Sequence, residues 1–304
     1  MEVRIGTRNS QLALWQTHQV KGLLEAQGIK TTIEEIQSEG DRNQTDALYA
    51  MGSVGVFTRA LDEALLSDKI DIAVHSAKDI PSSIPEELEI VAFLKRENPR
   101  EVLLGASKEV QLENFSRPWS IGTSSVRRKA QLAFFAPHIQ VKDIRGNLNT
   151  RLKKLQNGEY DGILLAYAGV KRMGWEHLIT QKLNVQSFVP AVGQGAVAVV
   201  AKRSYDSLDK VRSLLNHKPT DWAIRAERSF LRTMQGGCHT PIFGLATLVQ
   251  DHLSLTGGIA SLDGKRMVKK TMEGSATQGA ELGKQLAREV LEEIQINPLE
   301  IHEY

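Results

Sequence analysis

The sequence contains one cysteine, few aromatic residues and almost no net charge. A single cysteine among 304 residues cannot form an internal disulfide, and it is compatible with a reducing cytosol. Lysine and arginine number 38 against 36 aspartate and glutamate residues, which gives a formal charge of +2 at pH 7. This balance argues against the broad basic field with which proteins bind duplex nucleic acid. One thiol remains, and its role needs an explanation.

Long hydrophobic runs are also missing. No window of 18 apolar residues occurs, and the opening MEVRIGTRNSQLALW has no basic leader followed by an apolar stretch. The sequence therefore predicts a cytoplasmic protein with neither a membrane nor a nucleic acid as its partner. An organelle transit peptide removed ahead of residue 1 stays open as an alternative.

The composition that is present is typical of a globular enzyme with more than one domain. Hydrophobic residues make up 41 % and charged residues 24 % of the chain, and its length exceeds that at which single cores usually stop growing. Short β-rich runs alternate with helical patterns, as in VRIGT before SQLALWQTHQVKGLLEAQG and WSIGT before SSVRRKAQLAFFA. This alternation predicts an α/β fold with parallel strands.

Two connectors predict a body of two lobes. One is charged and contains proline, at residues 95–100, and the other is a Pro/Gly stretch at residues 190–195. From Trp222 onward, a helix, two strands and an amphipathic helix ending near Gln295 predict a small α+β domain. In the first helix, Gly28 is placed to end the helix. One face of that helix is expected to lie in the core; its residues are Leu12, Ala13, Val20, Leu23 and Leu24.

Polar and cationic side chains follow several predicted strands directly. Open α/β sheets bind ligands just beyond the carboxyl ends of their strands, so these side chains predict a ligand site. Arginine favours carboxylate or phosphate groups, which predicts a ligand with several anionic groups, although surface ion pairing is an equal alternative. The residues are Arg8, Ser10, Lys78, Asp79, Thr123, Ser124, Ser125, Arg127, Arg128, Arg145, Asn147 and Arg151, with Arg172 as a further arginine.

The run GTSSVRRKAQL predicts an anion site at a helix N-terminus, where free N–H groups and the helix dipole favour negative charge. Arg127 and Arg128 are adjacent, so on a helix they point about 100° apart and are expected to reach different groups. A solvated basic helix face is the alternative.

Three further residues bear on chemistry. Asp79 could protonate a leaving group or stabilise positive charge, or it could merely cap a turn. His75 ends an apolar strand and is expected to be packed and hydrogen-bonded rather than a general base. Cys238 follows two glycines, which predicts an accessible thiol on a loop leaving a helix. One cysteine does not make a thiolate-rich zinc site, and no metal is expected.

Seven runs, in this order along the chain, resemble the porphobilinogen deaminase family, whose members are also called hydroxymethylbilane synthases. The runs are IGTRNSQLALWQ, HSAKDIP, GTSSVRRKAQL, IRGNLNTRLKKL, LAYAGVKRMG, PAVGQGA and AERSFLRTMQGGCHTPI. The resemblance implies two α/β lobes with mixed sheets, related to periplasmic binding proteins, and a small α+β C-terminal domain. Domain 1 would comprise residues 1–96 and 196–216, domain 2 residues 97–195, and domain 3 residues 217–304.

The resemblance also implies a reaction. The enzyme would be a transferase that joins four porphobilinogen molecules head to tail, with loss of ammonia, and releases hydroxymethylbilane for tetrapyrrole synthesis. The chain would grow on a dipyrromethane cofactor held by a thioether to Cys238. Asp79 would be the catalytic acid that assists ammonia loss and hydrogen-bonds the pyrrole nitrogens. The small-molecule partner would be porphobilinogen, and the protein would be a monomer.

The resemblance implies two sets of binding residues, carried over by matching motif. Each pyrrole ring has two carboxylates, so a growing chain of rings needs many cations, which would explain why the arginines cluster. The implied cofactor-binding residues are Ser76, Lys78, Asp79, Thr123, Ser124, Ser125, Arg127, Arg128, Arg145, Gly146 and Arg151. The implied substrate-binding residues are Arg8, Ser10, Gln16, Arg172 and Gln194.

The resemblance is imperfect in two places. In the presumed lid at residues 41–57, Ala50 and Val54 stand where the family commonly has lysines. ENPRE replaces the more usual EDPRD, so Asn98 and Glu101 depart in what is interpreted as a connector. A non-catalytic anion-binding protein remains an alternative function, because a scaffold does not establish activity. A cysteine-nucleophile hydrolase is a weaker one, since no base and orienting acid accompany Cys238.

Overall fold

A computed structural model describes residues 2–37, 55, 58–237 and 240–296. Two compact units make up the chain: Met1–Glu97 with Gly195–Asp221, and Asn98–Gln194 with Trp222–Tyr304. The predicted division into three domains stays a prediction. No helix in the described ranges is long and apolar enough to cross a membrane.

The described elements are numbered here in chain order. The strands are β1 (Glu2–Thr7), β2 (Lys30–Glu35), β3 (Ile72–Ser76), β4 (Leu88–Phe93), β5 (Glu101–Gly105), β6 (Ser120–Gly122), β7 (Gln140–Lys142), β8 (Gly162–Ala166), β9 (Ile179–Lys182), β10 (Val197–Lys202), β11 (Ile242–Val249), β12 (His252–Ala260) and β13 (Met267–Ser275). The α-helices are α1 (Gln11–Glu25), α2 (Arg59–Leu66), α3 (Val126–Phe135), α4 (Leu148–Gln156), α5 (Tyr167–Arg172), α6 (Leu208–Leu215), α7 (Lys218–Thr233) and α8 (Gly279–Ile296).

The first unit is built on a mixed five-stranded sheet with the order β2-β1-β3-β10-β4. β1 pairs in parallel with β2 and β3, whereas β10 is antiparallel to β3 and β4. The alternation therefore predicted the parallel pairs correctly and missed the antiparallel ones. These come from β10, which lies between β3 and β4 in the sheet although strands β5 to β9 precede it along the chain.

Helix α1 begins and ends where the sequence predicts. The hydroxyl of Ser10 accepts the N–H of Ala13, and Gly28 follows the helix with a φ of +71°, a conformation that glycine adopts without strain. Val20 and Leu24 are fully buried as expected, but Leu23 is 46 % exposed. The prediction that Leu23 lies in the core is wrong. The buried face of α1 includes two polar residues, Gln16 and Thr17, and it is therefore centred away from Leu23.

The second unit contains a mixed sheet with the order β7-β6-β8-β5-β9 and a separate three-stranded sheet with the order β11-β12-β13. In the mixed sheet, β6 is parallel to β7 and β8, and β5 is antiparallel to β8 and β9. The three-stranded sheet is antiparallel throughout. Side chains of α7 and α8 pack on it around Phe230, Leu286 and Val290. This architecture confirms the predicted mixed α/β fold class with a small α+β C-terminal part.

Strand β11 is absent from the sequence prediction, which placed two strands rather than three in this region. Its residues, IFGLATLV, begin at the end of the GGCHTPI run and show five consecutive buried positions rather than an alternation. A short apolar run of this kind does not identify a strand by periodicity alone. Phe243 of β11 and Ala260 of β12 pack with Ala130 of α3 in one buried cluster, so the C-terminal sheet rests on that helix.

Two glycines give a matched test of packing. A Cβ added at Gly258 in β12 would lie 2.1 Å from the carbonyl oxygen of Val268, whereas one added at Gly22 in α1 would meet nothing within 4 Å. We expect Gly258→Ala to lower the free energy of unfolding by about 1–3 kcal/mol, because a paired strand must shift. Gly22→Ala should raise it by about 0.5–1 kcal/mol through helix propensity. Urea unfolding of both variants tests this, and an unchanged value for Gly258→Ala would contradict the packing described.

Candidate active site

In the first unit, two loops leave the carboxyl ends of the parallel strands β1 and β3 at the same edge of the sheet. Arg8 directly follows β1, and Ser10 caps α1 with its hydroxyl. Ser76 ends β3, and a single 3₁₀ turn, Ala77–Asp79, places Lys78 and Asp79 directly after it. The structure thus brings the predicted polar residues of this unit to one sheet edge, where open α/β sheets bind ligands.

A hydrogen bond between Gln16 and Ser76 links the two loops of the first unit. Gln16 in α1 is 2 % exposed, and its Nε2 donates to Oγ of Ser76 at 2.8 Å. Since Ser76 immediately precedes the 3₁₀ turn, this bond fixes α1 against the start of the turn that bears Lys78 and Asp79. The side chain of Gln16 is therefore buried, and it positions the turn through Ser76.

His75 is buried next to this loop. Burial, and to a lesser degree the charge of Arg8, lower the pKa of His75 from 6.5 to about 4, so the ring is neutral at pH 7. Its Nε2 has no hydrogen-bond partner within the described parts of the chain. The expectation of a packed histidine is confirmed, but the expected hydrogen bond is not found at Nε2.

In the second unit, three loops follow the parallel strands β6, β7 and β8 at one sheet edge. Oγ of Ser124, after β6, donates to the carbonyl oxygen of Ile144 and accepts the N–H of Ile144, both at 2.9 Å. This pair of bonds joins the loop after β6 to the loop after β7, next to Arg145. Thr123 is almost fully buried and its Oγ1 accepts the N–H of Ser125 at 3.3 Å, which shapes the start of α3.

The loop after β7 holds Arg145, a half-buried cation. Its guanidinium has no hydrogen bond or ion pair with any residue that the structure describes. Gly146 follows with a φ of +104°, and a Cβ there would lie 2.5 Å from Cγ2 of Thr150. Nε of Arg151 donates to the carbonyl oxygen of Gly146 at 2.8 Å. Glycine is thus required for the turn that presents Arg145.

Arg127 and Arg128 converge on one carboxylate, which corrects the expectation that they reach different groups. Nη2 of Arg127 donates to Oε1 of Glu101, and Nη2 of Arg128 donates to Oε2 at 2.7 Å. The two Cα–Cβ bonds diverge along the helix, but the long side chains bend towards the same buried glutamate. Burial lowers the pKa of Arg127, and the Glu101 carboxylate opposes that effect.

The interpretation of Glu101 as part of a connector is also wrong. Glu101 is the first residue of β5 and its side chain is fully buried. Sequence reasoning missed this functional candidate because its partners lie 26 and 27 residues further along the chain. An acid opening an otherwise apolar strand, EVLLG, was the available signal, since a buried carboxylate requires a partner.

Gln194 and Arg172 lie in different settings in the second unit. Gln194 is almost fully buried, and its Nε2 donates to the carbonyl oxygen of Pro99 at 2.7 Å. The N–H of the preceding residue, Gly193, donates to Oε2 of Glu227 at 2.7 Å. Arg172 is the last residue of α5, the helix that follows β8. Glu227, in the AERSF run, is a second buried acid. The sequence analysis did not identify its hydrogen bond to the loop that contains Gly193.

Cys238 lies outside the described residues, as do Ala50 and Val54 of the predicted lid. The residues on either side of Cys238 and its neighbour are described. The N–H of Gly237 donates to Oγ1 of Thr240 at 3.0 Å, and that hydroxyl donates back to the carbonyl oxygen of Gly237 at 3.0 Å. These bonds follow the end of α7 at Thr233 and join the two described residues that flank positions 238 and 239.

Comparison with known proteins gives consistent matches over the chain. A family model described as porphobilinogen deaminase, dipyromethane cofactor binding domain, matches residues 3–210, and one described as porphobilinogen deaminase, C-terminal domain, matches residues 222–292. The porphobilinogen deaminase of Desulfosudis oleivorans is 45 % identical over 294 residues, which cover 96 % of this chain and 95 % of the relative. That of Syntrophomonas wolfei is 44 % identical over 293 residues, with 96 % and 95 % covered.

Solved structures show a fainter likeness. The periplasmic VFT2 domain of Bordetella pertussis BvgS aligns over 70 % of this chain and 92 % of its own, with 12 % identity and a TM-score of 0.40. A likeness of this size adds no argument about function.

The buried His75 predicts a pH dependence of stability. Its folded pKa of about 4 lies below the usual 6.5, so the unfolded chain binds a proton between these pH values that the folded chain does not. Stability is therefore full above pH 6.5 and falls on acidification towards pH 4. A His75→Gln variant should lack this component, which approaches about 3 kcal/mol near pH 4. Urea unfolding of both proteins at pH 7, 5.5 and 4.5 measures it, and parallel losses in the two proteins would refute the assignment.

Proposed function

The chain belongs to the porphobilinogen deaminase family, and from this premise we propose that its dipyrromethane is held by a thioether to Cys238 and that Asp79 is its catalytic acid. Membership makes the protein a hydroxymethylbilane synthase, an enzyme of tetrapyrrole synthesis with a dipyrromethane cofactor binding domain. We further propose that it acts on porphobilinogen as a cytoplasmic monomer.

The observation that carries the proposal for the cofactor site is the uncompensated positive charge in the second unit. Arg127 and Arg128 share the single carboxylate of Glu101, and Nε of Arg128 is buried without an acceptor in the described structure. Arg145, in the loop after β7, has no hydrogen bond or ion pair with any residue that the structure describes either. Buried or half-buried cations are stabilised by anionic groups. A ligand with many carboxylates, as on linked pyrroles, fits this set.

Each loop of the second unit has a distinct part in this proposal. Arg145 and Arg151 bind acetate or propionate groups, since a planar guanidinium matches a carboxylate with two hydrogen bonds. The hydroxyl of Ser124 ties the loop after β6 to Ile144 in the loop that carries Arg145, and the hydroxyl of Thr123 accepts the N–H of Ser125 and shapes the start of α3. The N-terminal N–H groups of α3, starting after Ser125, add further donors for an anionic group.

When bound, dipyrromethane supplies the pyrrole carbon to which the first porphobilinogen is joined. The part of Asp79 is to donate a hydrogen bond or proton to the departing amine and, as a carboxylate, to accept the N–H of a pyrrole. Its negative charge also stabilises the positive charge that develops on the substrate ring as ammonia leaves. Lys78, next to Asp79 in the same turn, is proposed to bind a carboxylate group.

The substrate-binding residues divide into two kinds. Arg8 and Arg172 are cations proposed to bind the carboxylates of porphobilinogen. Gln16 and Gln194 are buried and already hydrogen-bonded to Ser76 and Pro99, so we assign them to positioning of the neighbouring loops. Ser10 likewise caps α1, and its proposed contribution is to direct that helix terminus at the substrate.

The thioether predicts a specific mass on Cys238. Protein purified from a host that makes porphobilinogen should show an intact mass higher than the chain's by two linked pyrroles, and Ehrlich's reagent should colour it. Cys238→Ser should remain folded and lose both the added mass and the colour. An active protein with an unmodified thiol at Cys238 would overturn the proposed attachment. Binding of a polycarboxylate with no ammonia released from porphobilinogen would favour the anion-binding alternative.

The role of Asp79 predicts a loss of turnover. Asp79→Asn should lower kcat for ammonia release by about 10²–10⁴-fold, because acid–base assistance and charge stabilisation are removed together. The measurement is ammonia released per folded, cofactor-loaded molecule. Asp251→Asn is a matched control at an exposed turn between β11 and β12, and it should leave kcat unchanged. Equal kcat values for Asp79→Asn and wild type would rule out the assignment.

A further inference from the structure

Glu101 makes direct contact with both arginines at the start of α3. Its side chain is fully buried, and the side chains of Arg127 and Arg128 are each 6 % exposed. One carboxylate oxygen accepts from each guanidinium, with 2.7 Å between Oε2 and Nη2 of Arg128. Because the two oxygens belong to one rigid group, the position of one guanidinium fixes that of the other.

Each guanidinium is also held at a second point. Nη1 of Arg127 donates to the carbonyl oxygen of Val189 at 3.0 Å, and Nη1 of Arg128 donates to that of Leu164 at 2.9 Å. Leu164 lies in the centre of β8. Two anchored nitrogens on a planar group define its plane, so the directions of the remaining N–H donors are fixed as well. A guanidinium has five N–H donors, so each arginine keeps donors for a ligand.

The charge of this cluster is incomplete. Two guanidinium groups face one carboxylate, and Glu101 and Arg128 are the charged groups that influence the pKa of Arg127. Counted over these three groups, two guanidinium groups and one carboxylate, the net charge is +1. Without Glu101 it would hold two positive charges out of water, a state that is costly for a folded protein.

We propose that Glu101 is a positioning residue for the reaction: it orients Arg127 and Arg128 as a pair and leaves them with one net charge for a ligand carboxylate. This inference rests on the proposed role of the two arginines in holding the carboxylates of the pyrrole chain. Glu101 itself has no contact with the ligand in this account. Glu101 acts through the two arginines, which hold the growing pyrrole chain in the position needed for each addition.

Substitutions at Glu101 test the proposal in the full-length, cofactor-loaded enzyme. Glu101→Gln removes the charge at constant size, and we expect kcat per folded molecule to fall about 10- to 100-fold through misplacement of the bound chain. The KM for porphobilinogen should change little, because the arginines hold the chain rather than the entering monomer. Glu101→Asp keeps a carboxylate between the two guanidinium groups and should restore most of kcat, since the charge that pairs them is retained.

Asp161→Asn is the matched control for a purely structural carboxylate. Asp161 accepts the N–H and hydroxyl of Ser120 at 2.8 and 2.9 Å and pairs with Arg117, in the same unit and apart from Arg127 and Arg128. Its substitution should lower the free energy of unfolding but leave kcat and KM per folded molecule unchanged. A Glu101→Gln protein that behaves like Asp161→Asn, less stable but with wild-type kcat, would overturn the proposal.

A double variant covers the case in which Glu101→Gln does not fold. Glu101→Gln with Arg128→Met leaves one buried positive charge, as in the wild type, and should fold. Its reference is Arg128→Met alone, in which Glu101 still orients Arg127. The proposal predicts a lower kcat for the double variant than for Arg128→Met, and equal values would contradict it.

The proposed function and this inference fail in different ways. A wild-type protein that shows neither pyrrole mass nor ammonia release would overturn the proposed function and, with it, the inference. An active wild type accompanied by a folded and fully active Glu101→Gln would overturn the inference alone.

Discussion

Two arginines buried against one glutamate form the interaction on which the second unit depends. Glu101 opens β5, Arg127 and Arg128 open α3, and the arginines also bind carbonyl oxygens of Leu164 in β8 and Val189. The cluster thus ties two strands, a helix and a loop with charge-assisted hydrogen bonds. Buried charges are tolerated only when they are paired, so the ends of these elements cannot move independently. The positive charge that remains is the one we propose a ligand carboxylate to neutralise.

Helix α3 connects that cluster to the C-terminal sheet. Its N-terminus carries the two arginines, and Ala130 in its middle packs with Phe243 and Ala260 of β11 and β12. Glu227 of α7 adds a second link, because its two carboxylate oxygens accept the N–H groups of Gly193 and Ala246. Helix α7 then leads to the segment that bears Cys238. Helices α3 and α7 are therefore both tied to the C-terminal sheet within the second unit, which suits the proposed cofactor, tethered at Cys238 and bound through its carboxylates.

The sequence predicted the features that depend on interactions between neighbouring residues, namely helix ends and the loops after strands. Gly28 marked the end of α1, and polar residues after apolar runs marked the loops at the strand ends, because capping and turn formation depend on neighbouring residues. Contacts between distant parts of the chain were not predictable in this way. Glu101 meets its arginines 26 and 27 residues away, and β10 inserts between β3 and β4 from beyond residue 195. The hydrophobic periodicity of α1 also did not predict that Gln16 is buried on the same helix as Val20 while Leu23 is exposed.

The central claim is that the cationic loops of the second unit hold the carboxylates of linked pyrroles. A crystal structure of the pyrrole-loaded protein tests it most directly. The account predicts ligand carboxylate oxygens about 3 Å from the guanidinium nitrogens of Arg127 or Arg128 and of Arg145, with the Glu101 pairing retained. Pyrrole carboxylates that face solvent, with Arg145 still unpaired, would contradict it.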